Sequence, residues 1–294
     1  MKFGINFINS GPGTTADTAA RWAGTVEALG YDLLMVSDHV AITPDVAERY
    51  PAPFFDTPAT LGWLAANTTR IELGTTVMLL PLRHVLDTAR IVGTVDQLAG
   101  GRLTAFGIGL GWAQGEFEAL GVPFERRAAI TDDYLAALRE LWNSDLASYD
   151  GAYARFSRVQ TAPRPSSTTA IWVGGVADAA LRRAVRYGDA WHPISFTLDS
   201  LAERLARLRA IADGEQRPVP LLAPRIRLVV TERPLGADRA PGEGTVDQIR
   251  SDLAALETLG AACVILDPFV PRADGHAARL AEIERMAAKI IELR

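Results

Sequence analysis

Short runs of small or apolar residues recur along the chain, separated by stretches in which apolar residues stand three or four positions apart. The short runs lack polar alternation, which is typical of strands covered on both faces, as in a parallel sheet. The longer stretches have the spacing of amphipathic helices. The predicted strands cover residues 2–7, 33–36, 70–77, 103–108, 170–173, 189–192, 226–230 and 263–266. Because they alternate with helices, the pattern favours an α/β fold, a (β/α)8 TIM barrel.

The length of the chain agrees with this architecture. A barrel of this kind takes ~250 residues, and the chain has 294, so we expect a single domain over residues 1–294. The predicted helices cover residues 19–29, 57–64, 89–98, 134–142, 201–211, 246–259 and 280–290, and another begins near Asp178. Loop insertions without regular structure are expected near residues 40–58, 113–131 and 148–169, where proline, glycine, serine and threonine interrupt the patterns.

The stretch from Gly100 to Trp112 holds a helix end, a strand and a glycine-rich loop. Gly100 and Gly101 end a helix, because glycine adopts the positive φ that this position often needs. Glycines then occur at Gly107, Gly109 and Gly111, at the carboxyl end of the predicted strand. They let either a flat ligand or a neighbouring backbone approach closely, while a tight turn is the simpler interpretation.

Composition narrows the classes of partner. The formal net charge is −5, with no basic stripe, which argues against nucleic acid and anionic membranes. The one cysteine, Cys263, stands in an apolar run and is expected in the core. The chain begins directly with a predicted strand and has no apolar run approaching ~20 residues, so we expect a cytoplasmic protein. No set of histidine, cysteine and acidic residues has metal-ligand spacing.

Polar residues and glycines follow two of the predicted strands. Ser37, Asp38 and His39 come after the second strand, at the end where barrels place their sites. His39 is therefore interpreted as a site residue, with a structural loop histidine as the alternative. Gly174 and Gly175 lie between the fifth strand and a helix, where free N–H groups and the positive helix end favour an anion.

These landmarks resemble the bacterial luciferase-like family, and within it the branch that uses the deazaflavin coenzyme F420. The motifs that carry the resemblance span nearly the whole chain. They are Ser37-Asp38-His39, Gly74-Thr75-Thr76-Val77, Arg83-His84, Val95-Asp96-Gln97-Leu98, Gly101-Arg102, Gly107-Ile108-Gly109-Leu110-Gly111-Trp112, Glu116-Phe117, Leu120-Gly121, Gly174-Gly175, Tyr187-Gly188-Asp189-Ala190-Trp191 and Gly244-Thr245. Relatives that oxidise sugar phosphates carry a glutamate at the position of Trp112 and a tryptophan at that of Thr43, so that branch is not indicated.

The resemblance implies a flavin-like ring in the barrel mouth across strands two to four. It also implies a non-prolyl cis peptide bond at Thr76-Val77 beside the ring and a cofactor phosphate at Gly174, Gly175 and Val176. The implied catalytic residue is His39. Cofactor contacts are implied for Asp38, His39, Thr75, Thr76, Val77, Gly109, Gly111, Trp112, Gly174, Gly175 and Val176. The polyglutamate tail of F420 is expected to meet Arg182, Arg183 or Arg164.

The leading functional hypothesis is an F420-dependent oxidoreductase that moves hydride between the deazaflavin and a small organic molecule. One alternative is a two-component monooxygenase that uses reduced FMN and oxygen. The other is a protein that binds a flavin without turnover. The resemblance further implies a homodimer formed through the outer helices near strands two to four. In each enzymatic case the cofactor supplies the chemistry and the protein positions it against the substrate.

Overall fold

The computed structural model describes residues 1–268 and 275–291. The strands are β1 (Lys2–Phe7), β2 (Leu33–Val36), β3 (Glu72–Leu79), β4 (Leu103–Gly109), β5 (Ala147–Asp150), β6 (Arg155–Val159), β7 (Ala170–Gly174), β8 (Ala190–His192), β9 (Leu221–Leu222), β10 (Arg225–Val230), β11 (Glu243–Gly244) and β12 (Cys263–Pro268). The helices are α1 (Ala16–Ala28), α2 (Pro44–Arg49), α3 (Thr57–Ala66), α4 (Val85–Leu98), α5 (Gln114–Ala119), α6 (Arg127–Asn143), α7 (Asp178–Tyr187), α8 (Leu198–Gly214), α9 (Val246–Thr258) and α10 (His276–Ile291). Two short 3-10 turns cover Leu80–Leu82 and Phe124–Arg126.

A ten-stranded parallel sheet forms the centre of the fold. Its strands follow the order β11-β10-β12-β1-β2-β3-β4-β7-β8-β9. Each of the predicted strands is found in this sheet, and helices separate most of them along the chain. The prediction of an α/β fold with parallel strands is therefore confirmed.

The prediction of a closed eight-stranded ring is only partly met. The predicted seventh strand, residues 226–230, corresponds to β10. A further two-residue strand that was not predicted, β9, is separated from β10 by Ala223-Pro224, where proline lacks the N–H that a strand ladder needs. The strand β9 pairs with β8, whereas β10 pairs with β12, and only an isolated bridge joins Leu222 to Ala261 beside β12. The architecture is thus a curled ten-stranded sheet and not a continuous ring of eight strands.

The side chains of successive strand residues pack in different parts of the core. On β2, Leu34 and Val36 pack in the large cluster that includes the helices, whereas Leu33 and Met35 belong to a second cluster inside the curl. Cys263 lies in this inner cluster, and burial raises the pKa of its thiol far above the ordinary value. The expectation that Cys263 is a core residue is confirmed.

The insertions contain more regular structure than the sequence predicts. The helix α2 lies within the 40–58 insertion, and α5 lies within the 113–131 insertion. The 148–169 insertion was expected to be irregular, but β5 and β6 form an antiparallel hairpin there, packed against α6. Farther along it, the backbone of Pro163 packs so closely on Gly93 of α4 that a side chain at Gly93 would collide. This insertion therefore covers part of the helical layer.

Strand β3 carries a bulge near its carboxyl end. Thr75 pairs with Phe106 and Met78 pairs with Ile108, so β3 has an extra residue in this interval. The peptide bond between Thr76 and Val77 within it is cis, as the family resemblance implies.

Glycines on two neighbouring strands make room for this bulge. A Cβ at Gly107 would lie 2.0 Å from the carbonyl oxygen of Thr75, and one at Gly109 would lie 2.4 Å from Cγ2 of Val77. A Cβ at Gly174 would lie 3.3 Å from Cγ1 of Val77. The close approach of a neighbouring backbone, one of the interpretations left open above, therefore describes Gly107. Gly109 accommodates the side chain of Val77.

In the residues that the structure describes, none of the helices has both the length and the apolar character needed to cross a bilayer.

The bulge makes a prediction about stability. Replacing Gly107 by alanine places a methyl group against the Thr75 carbonyl, and we expect the free energy of unfolding to fall by ~3 kcal/mol, as in an overpacked core. Gly24→Ala, in α1, is the control: nothing lies within 4 Å of its added Cβ, and we expect a gain of up to ~1 kcal/mol. Urea unfolding measures both. Equal stability of Gly107→Ala and the wild type would contradict the packing described for the bulge.

Candidate active site

A buried polar network crosses the carboxyl edge of the sheet. Arg225 of β10 donates from Nη2 to Oδ2 of Asp267 on β12 at 2.6 Å. Its Nη1 donates to the carbonyl oxygen of Thr76 on β3, also at 2.6 Å. The hydroxyl of Ser37 donates to the same carbonyl at 3.2 Å, and Asn6 of β1 donates to Asp267 at 2.9 Å. Residues from β1, β3, β10 and β12, with Ser37 just after β2, thus hold the bulge in one position.

His192 completes this network as a neutral side chain. The pKa of His192 is lowered to about 4, chiefly by burial and in smaller part by the charge of Arg225, while the hydrogen bond to Ala223 acts in the opposite direction. Its Nδ1 lies 2.5 Å from the carbonyl oxygen of Ala223, so Nδ1 carries the proton. Nε2 then accepts from the Thr76 hydroxyl at 2.8 Å. The sequence left open whether His192 reaches a substrate, and both of its ring nitrogens are engaged within the protein.

His39 lies beside a fully buried carboxylate. Its Nδ1 is 2.8 Å from Oε2 of Glu116, a residue of α5 with 0% exposure. The other oxygen of Glu116 accepts from the backbone N–H groups of Val40 and Ala41, at 2.5 and 3.0 Å. Glu116 therefore fixes both the imidazole of His39 and the backbone that follows it.

Three aromatic rings surround His39, and we call them the aromatic cage: Tyr50, Phe54 and Trp112. Their centroids lie 5.3, 5.5 and 5.8 Å from that of His39. Arg49 stacks on Trp112 with its guanidinium carbon 4.8 Å from the ring centroid. The cage comes from the 40–58 insertion and from the loop after β4, so these two loops meet over the histidine.

Asp38, the neighbour of His39 in sequence, makes different contacts. Its carboxylate pairs with both terminal nitrogens of Arg83 and accepts from the backbone N–H of Leu79 at 2.9 Å. These donors use both carboxylate oxygens. Contact of Asp38 with a cofactor stays a prediction, and the structure shows Asp38 joining the end of β2 to the end of β3.

The implied phosphate contacts lie at the carboxyl end of β7. Gly175 has φ +109°, and its carbonyl accepts from the indole N–H of Trp191 at 2.7 Å. The helix α7 begins three residues later, and no side chain caps its first turn. Backbone N–H groups at this helix start are therefore open to an anion.

Arginines gather around the same helix start. Arg204 donates to the carbonyl of Val176 at 2.5 Å, and Arg207 pairs with Asp178 at 2.9 Å. Arg182 lies 4.0 Å from the same carboxylate. The pKa of Asp178 is lowered, chiefly by its hydrogen bond with Arg207. Burial opposes this shift, and the charges of the three arginines add smaller contributions that lower the pKa. Arg182 and Arg207 thus share a single carboxylate here, and Arg204 is bonded to a backbone carbonyl beside it.

Two of the arginines expected near an anionic tail are engaged elsewhere. Arg183 is buried and pairs with Asp132 of α6 at 2.5 Å. Arg164 pairs with Asp145. The expectation is therefore corrected for Arg183, which is buried against α6, because helical spacing alone does not tell which side of α7 is covered. Contact of Arg164 with an anionic tail stays a prediction. Arg204 and Arg207, which the sequence reading missed, approach the helix start from α8.

The predicted cofactor contacts fall into groups. The side chain of Val77 lies close to Gly109 and to Gly174. Its neighbour Thr76 belongs to the polar network. Thr75 is buried and donates to the carbonyl of Gly107 at 2.6 Å. Gly111 packs against the ring of Phe117, and Trp112 joins His39 in the aromatic cage. The implied role of each residue toward a cofactor stays a prediction.

Glu116 is the principal residue that sequence reasoning did not assign to the site. It belongs to the motif Glu116-Phe117 that supports the family resemblance, but it stands in a mixed segment that was expected to be a loop, and no site role was assigned to it. Arg225 was likewise missed, because its partners Thr76 and Asp267 belong to distant strands.

A cavity of about 970 Å³ opens beside the network. Asn6, Ser37, Arg225 and Asp267 line it on the polar side, and most of its other walls are apolar. Those apolar walls include Phe7, Ile8, Pro12, Tyr50, Pro51, Phe54, Ile194, Phe196, Ile226, Pro241 and Pro268. Tyr50 and Phe54 belong also to the aromatic cage, so the cavity and His39 share a boundary. Within residues 1–268 and 275–291, no group of three or more His, Cys, Asp or Glu side chains is arranged to hold a metal ion.

The sequence matches a family model described as luciferase-like monooxygenase over residues 1–240. An uncharacterized protein of Mycobacterium tuberculosis is 30% identical over 285 residues, which cover 86% of this chain and 99% of that protein.

Solved structures share the fold over almost the full chain. The monooxygenase RslO1 from Streptomyces bottropensis has a TM-score of 0.80 and 22% identity, with 98% of each chain covered. The coenzyme F420 dependent tetrahydromethanopterin reductase from Methanopyrus kandleri has a TM-score of 0.77 and 14% identity, again with 98% of each chain covered. At these identities the similarity shows a common fold.

The position of Gly175 generates a prediction about anion binding. Its positive φ disfavours any side chain, and an added Cβ would lie 3.0 Å from that of Ala180. We call the backbone of Gly174, Gly175 and Val176, where the cofactor phosphate is predicted to bind, the phosphate cradle. We expect Gly175→Ala to weaken the binding of F420 and of FMN by at least ~10-fold, or about 1.4 kcal/mol, because the substitution displaces this backbone.

Gly30→Ala is the matched control for Gly175→Ala. Gly30 also has a positive φ, +80°, but nothing lies within 4 Å of its added Cβ. Both variants should lose ~1–2 kcal/mol of stability, and only Gly175→Ala should lose cofactor affinity. Isothermal titration and urea unfolding measure the two effects. Normal binding of both cofactors by Gly175→Ala would contradict the location of the phosphate.

Proposed function

The chain belongs to the luciferase-like monooxygenase family, and on this premise we propose that it is an oxidoreductase that transfers hydride between coenzyme F420 and a small organic molecule. The proposal includes a single domain of TIM-barrel type over residues 1–294. It also includes the homodimer that the family resemblance implies. The observation that carries the choice of F420 is the group of arginines at the start of α7.

The fit to a flavin-like ring depends on the bulge of β3. Val77 stands at its crest, beside Gly109 and Gly174, whose missing side chains leave room above the strand ends. Its side chain is partly exposed, whereas Thr75 and Thr76 on the same bulge are buried. A flat ring that packs on Val77 would have its phosphate side directed toward Gly174, Gly175 and Val176. These residues therefore fit the group that the family binds.

The arginines favour F420 over FMN. FMN ends at its phosphate, whereas F420 continues into an anionic polyglutamate tail. Arg182 and Arg207 share the carboxylate of Asp178 at the helix start, and Arg204 donates to the carbonyl of Val176 beside it. This surplus of positive charge lies where a tail would leave the cradle, so it supports the longer, more negative cofactor.

His39 is the proposed acid–base residue. When bound, F420 would supply or accept the hydride. The chain must then give a proton to the substrate oxygen or take one from it, so that hydride and proton together interconvert an alcohol and a carbonyl compound. Nε2 of His39 is suited to this, because Nδ1 is held by Glu116. The aromatic cage keeps bulk water away from the imidazole, and the cavity beside it has the size of a small-molecule site.

A monooxygenase that uses reduced FMN and oxygen is the second candidate. The description of the family and the monooxygenase among the similar structures favour it. The same bulge and phosphate cradle would serve either cofactor. Oxygen uptake in the presence of reduced FMN, with no turnover of F420, would select this candidate; binding of either cofactor without turnover would select a non-catalytic carrier.

The role of His39 predicts a separation between turnover and binding. We expect His39→Ala to lower turnover ~10²–10⁴-fold, the usual contribution of a positioned acid or base, with the F420 dissociation constant changed far less. Turnover is measured with the compound that a panel of small alcohols and ketones identifies. His84→Ala is the control, because His84 is exposed and caps α4 away from the cavity. Unchanged turnover of His39→Ala would make His39 structural.

The role of the arginines predicts selectivity between cofactors. Arg182 and Arg207 both pair with Asp178, so the double variant Arg182→Gln/Arg207→Gln removes charge without touching the Val176 carbonyl. At low salt we expect ~10-fold weaker binding of F420 and less than ~2-fold for FMN, and the difference should shrink as salt screens the charges.

Arg186→Gln is the matched control for charge on the same helix, because Arg186 pairs with Glu215 at the far end of α7. It should leave both affinities unchanged. If the double variant weakened the binding of F420 and of FMN equally, the arginines would no longer support F420 as the cofactor.

A further inference from the structure

We propose that Glu116 is a positioning residue that holds His39 in the tautomer protonated at Nδ1, so that Nε2 presents a lone pair to the site. The tautomer follows from contacts within the chain. Its use in catalysis rests on the function proposed above.

The hydrogen bonds of Glu116 define the direction of the contact with His39. One carboxylate oxygen accepts two backbone N–H groups, from Val40 and Ala41. The other oxygen lies 2.8 Å from Nδ1 of His39. One oxygen of this carboxylate accepts two N–H groups, and the other acts as an acceptor as well. The proton in the hydrogen bond to His39 is therefore carried by Nδ1.

The surroundings of the imidazole hold this arrangement in place. Phe54 and Trp112 meet the ring nearly edge-on, at interplanar angles of 90° and 84°, and Tyr50 lies tilted beside it. In the part of the chain that the structure describes, no hydrogen bond uses Nε2 of His39, and Nε2 is not among the buried polar atoms left without a partner. Nε2 is therefore the nitrogen open to a bound molecule.

Glu116 also ties the 40–58 insertion to α5. Beside its bonds to Val40 and Ala41, Asp45 accepts from the N–H of Gly115 at 3.3 Å. A truncation at Glu116 would loosen this loop as well as the imidazole, so loss of activity alone would not separate the two effects. The informative change is Glu116→Gln, which keeps the shape and an oxygen for the backbone donors.

Glutamine reverses the bond to His39. With its oxygen on Val40 and Ala41, its amide nitrogen points at Nδ1 and can only donate. The imidazole must then accept at Nδ1 and carry its proton on Nε2. The variant should therefore leave the ring in place and convert Nε2 from an acceptor into a donor.

The test is a long-range proton–nitrogen correlation spectrum of the histidine-labelled protein at mildly alkaline pH, without cofactor or substrate. The chain has 4 histidines, so the signals are assigned by substituting His39 and His84. His192 is an internal reference, because Ala223 fixes its proton on Nδ1. The wild type should show a proton on Nδ1 of His39, and Glu116→Gln should show it on Nε2. Glu118→Gln, an exposed change on the same helix, should leave the spectrum unchanged.

A wild-type proton on Nε2, or an unchanged tautomer in Glu116→Gln, would overturn the proposal. In the activity arm, Glu116→Gln should lower turnover at least ~10²-fold while the F420 dissociation constant stays within ~2-fold. Glu116→Asp, which retains the acceptor, should recover part of this loss. Turnover equal to wild type in Glu116→Gln would also overturn the proposal. If the tautomer changes as expected but no F420 chemistry is found, the proposed function fails and the positioning role of Glu116 stands.

Discussion

The guanidinium of Arg225 connects strands that are not neighbours in the sheet. In the order of strands, β12, β1 and β2 lie between β10, which carries Arg225, and β3, which carries Thr76. The bond from Arg225 to the Thr76 carbonyl can form only because the sheet curls, and Asp267 holds the guanidinium in place. Hydrogen bonds to a charged group are worth ~1.5–3 kcal/mol each, so this network is a substantial constraint on the edge of the sheet. The position of Val77, and the need for glycine at Gly107 and Gly109, follow from it.

The fixed bulge separates two parts of the strand edge. On one side are Val77 and the start of α7, where we propose that the cofactor phosphate binds; on the other is the cavity with its apolar walls. His39 lies at the boundary of the second part, because Tyr50 and Phe54 serve both the cage and the cavity. Asp38 and His39 are adjacent in sequence, but their side chains make different contacts. The carboxylate of Asp38 is used by Arg83, whereas the imidazole of His39 keeps one nitrogen open. In the proposed function, the cofactor and the substrate are therefore held by separate sets of residues.

Local patterns in the sequence were sufficient for the longer strands of the central sheet, because buried parallel strands read as apolar runs such as 33–36 and 263–266, but not for the two-residue strands β9 and β11. The hairpin of β5 and β6 was missed because its residues are mostly polar and partly exposed. The separate strand β9 depends on pairing with a different neighbour from that of β10, which no local pattern contains. His39, Gly174 and Gly175 follow strands and were predicted as site residues from their positions. Glu116 and Arg225 were not, since each acts on residues far away in the chain: 77 positions separate Glu116 from His39, and 149 separate Arg225 from Thr76.

The central claim is that the bulge at Thr76-Val77 is the surface on which the cofactor ring lies. A crystal structure of the protein with F420 bound tests it directly. The account predicts a ring packed on Val77, a phosphate at the N–H groups of Gly175 and Val176, and the substrate end of the ring turned toward His39. A ring bound inside the cavity against Phe7 and Ile226, away from Val77, would contradict it.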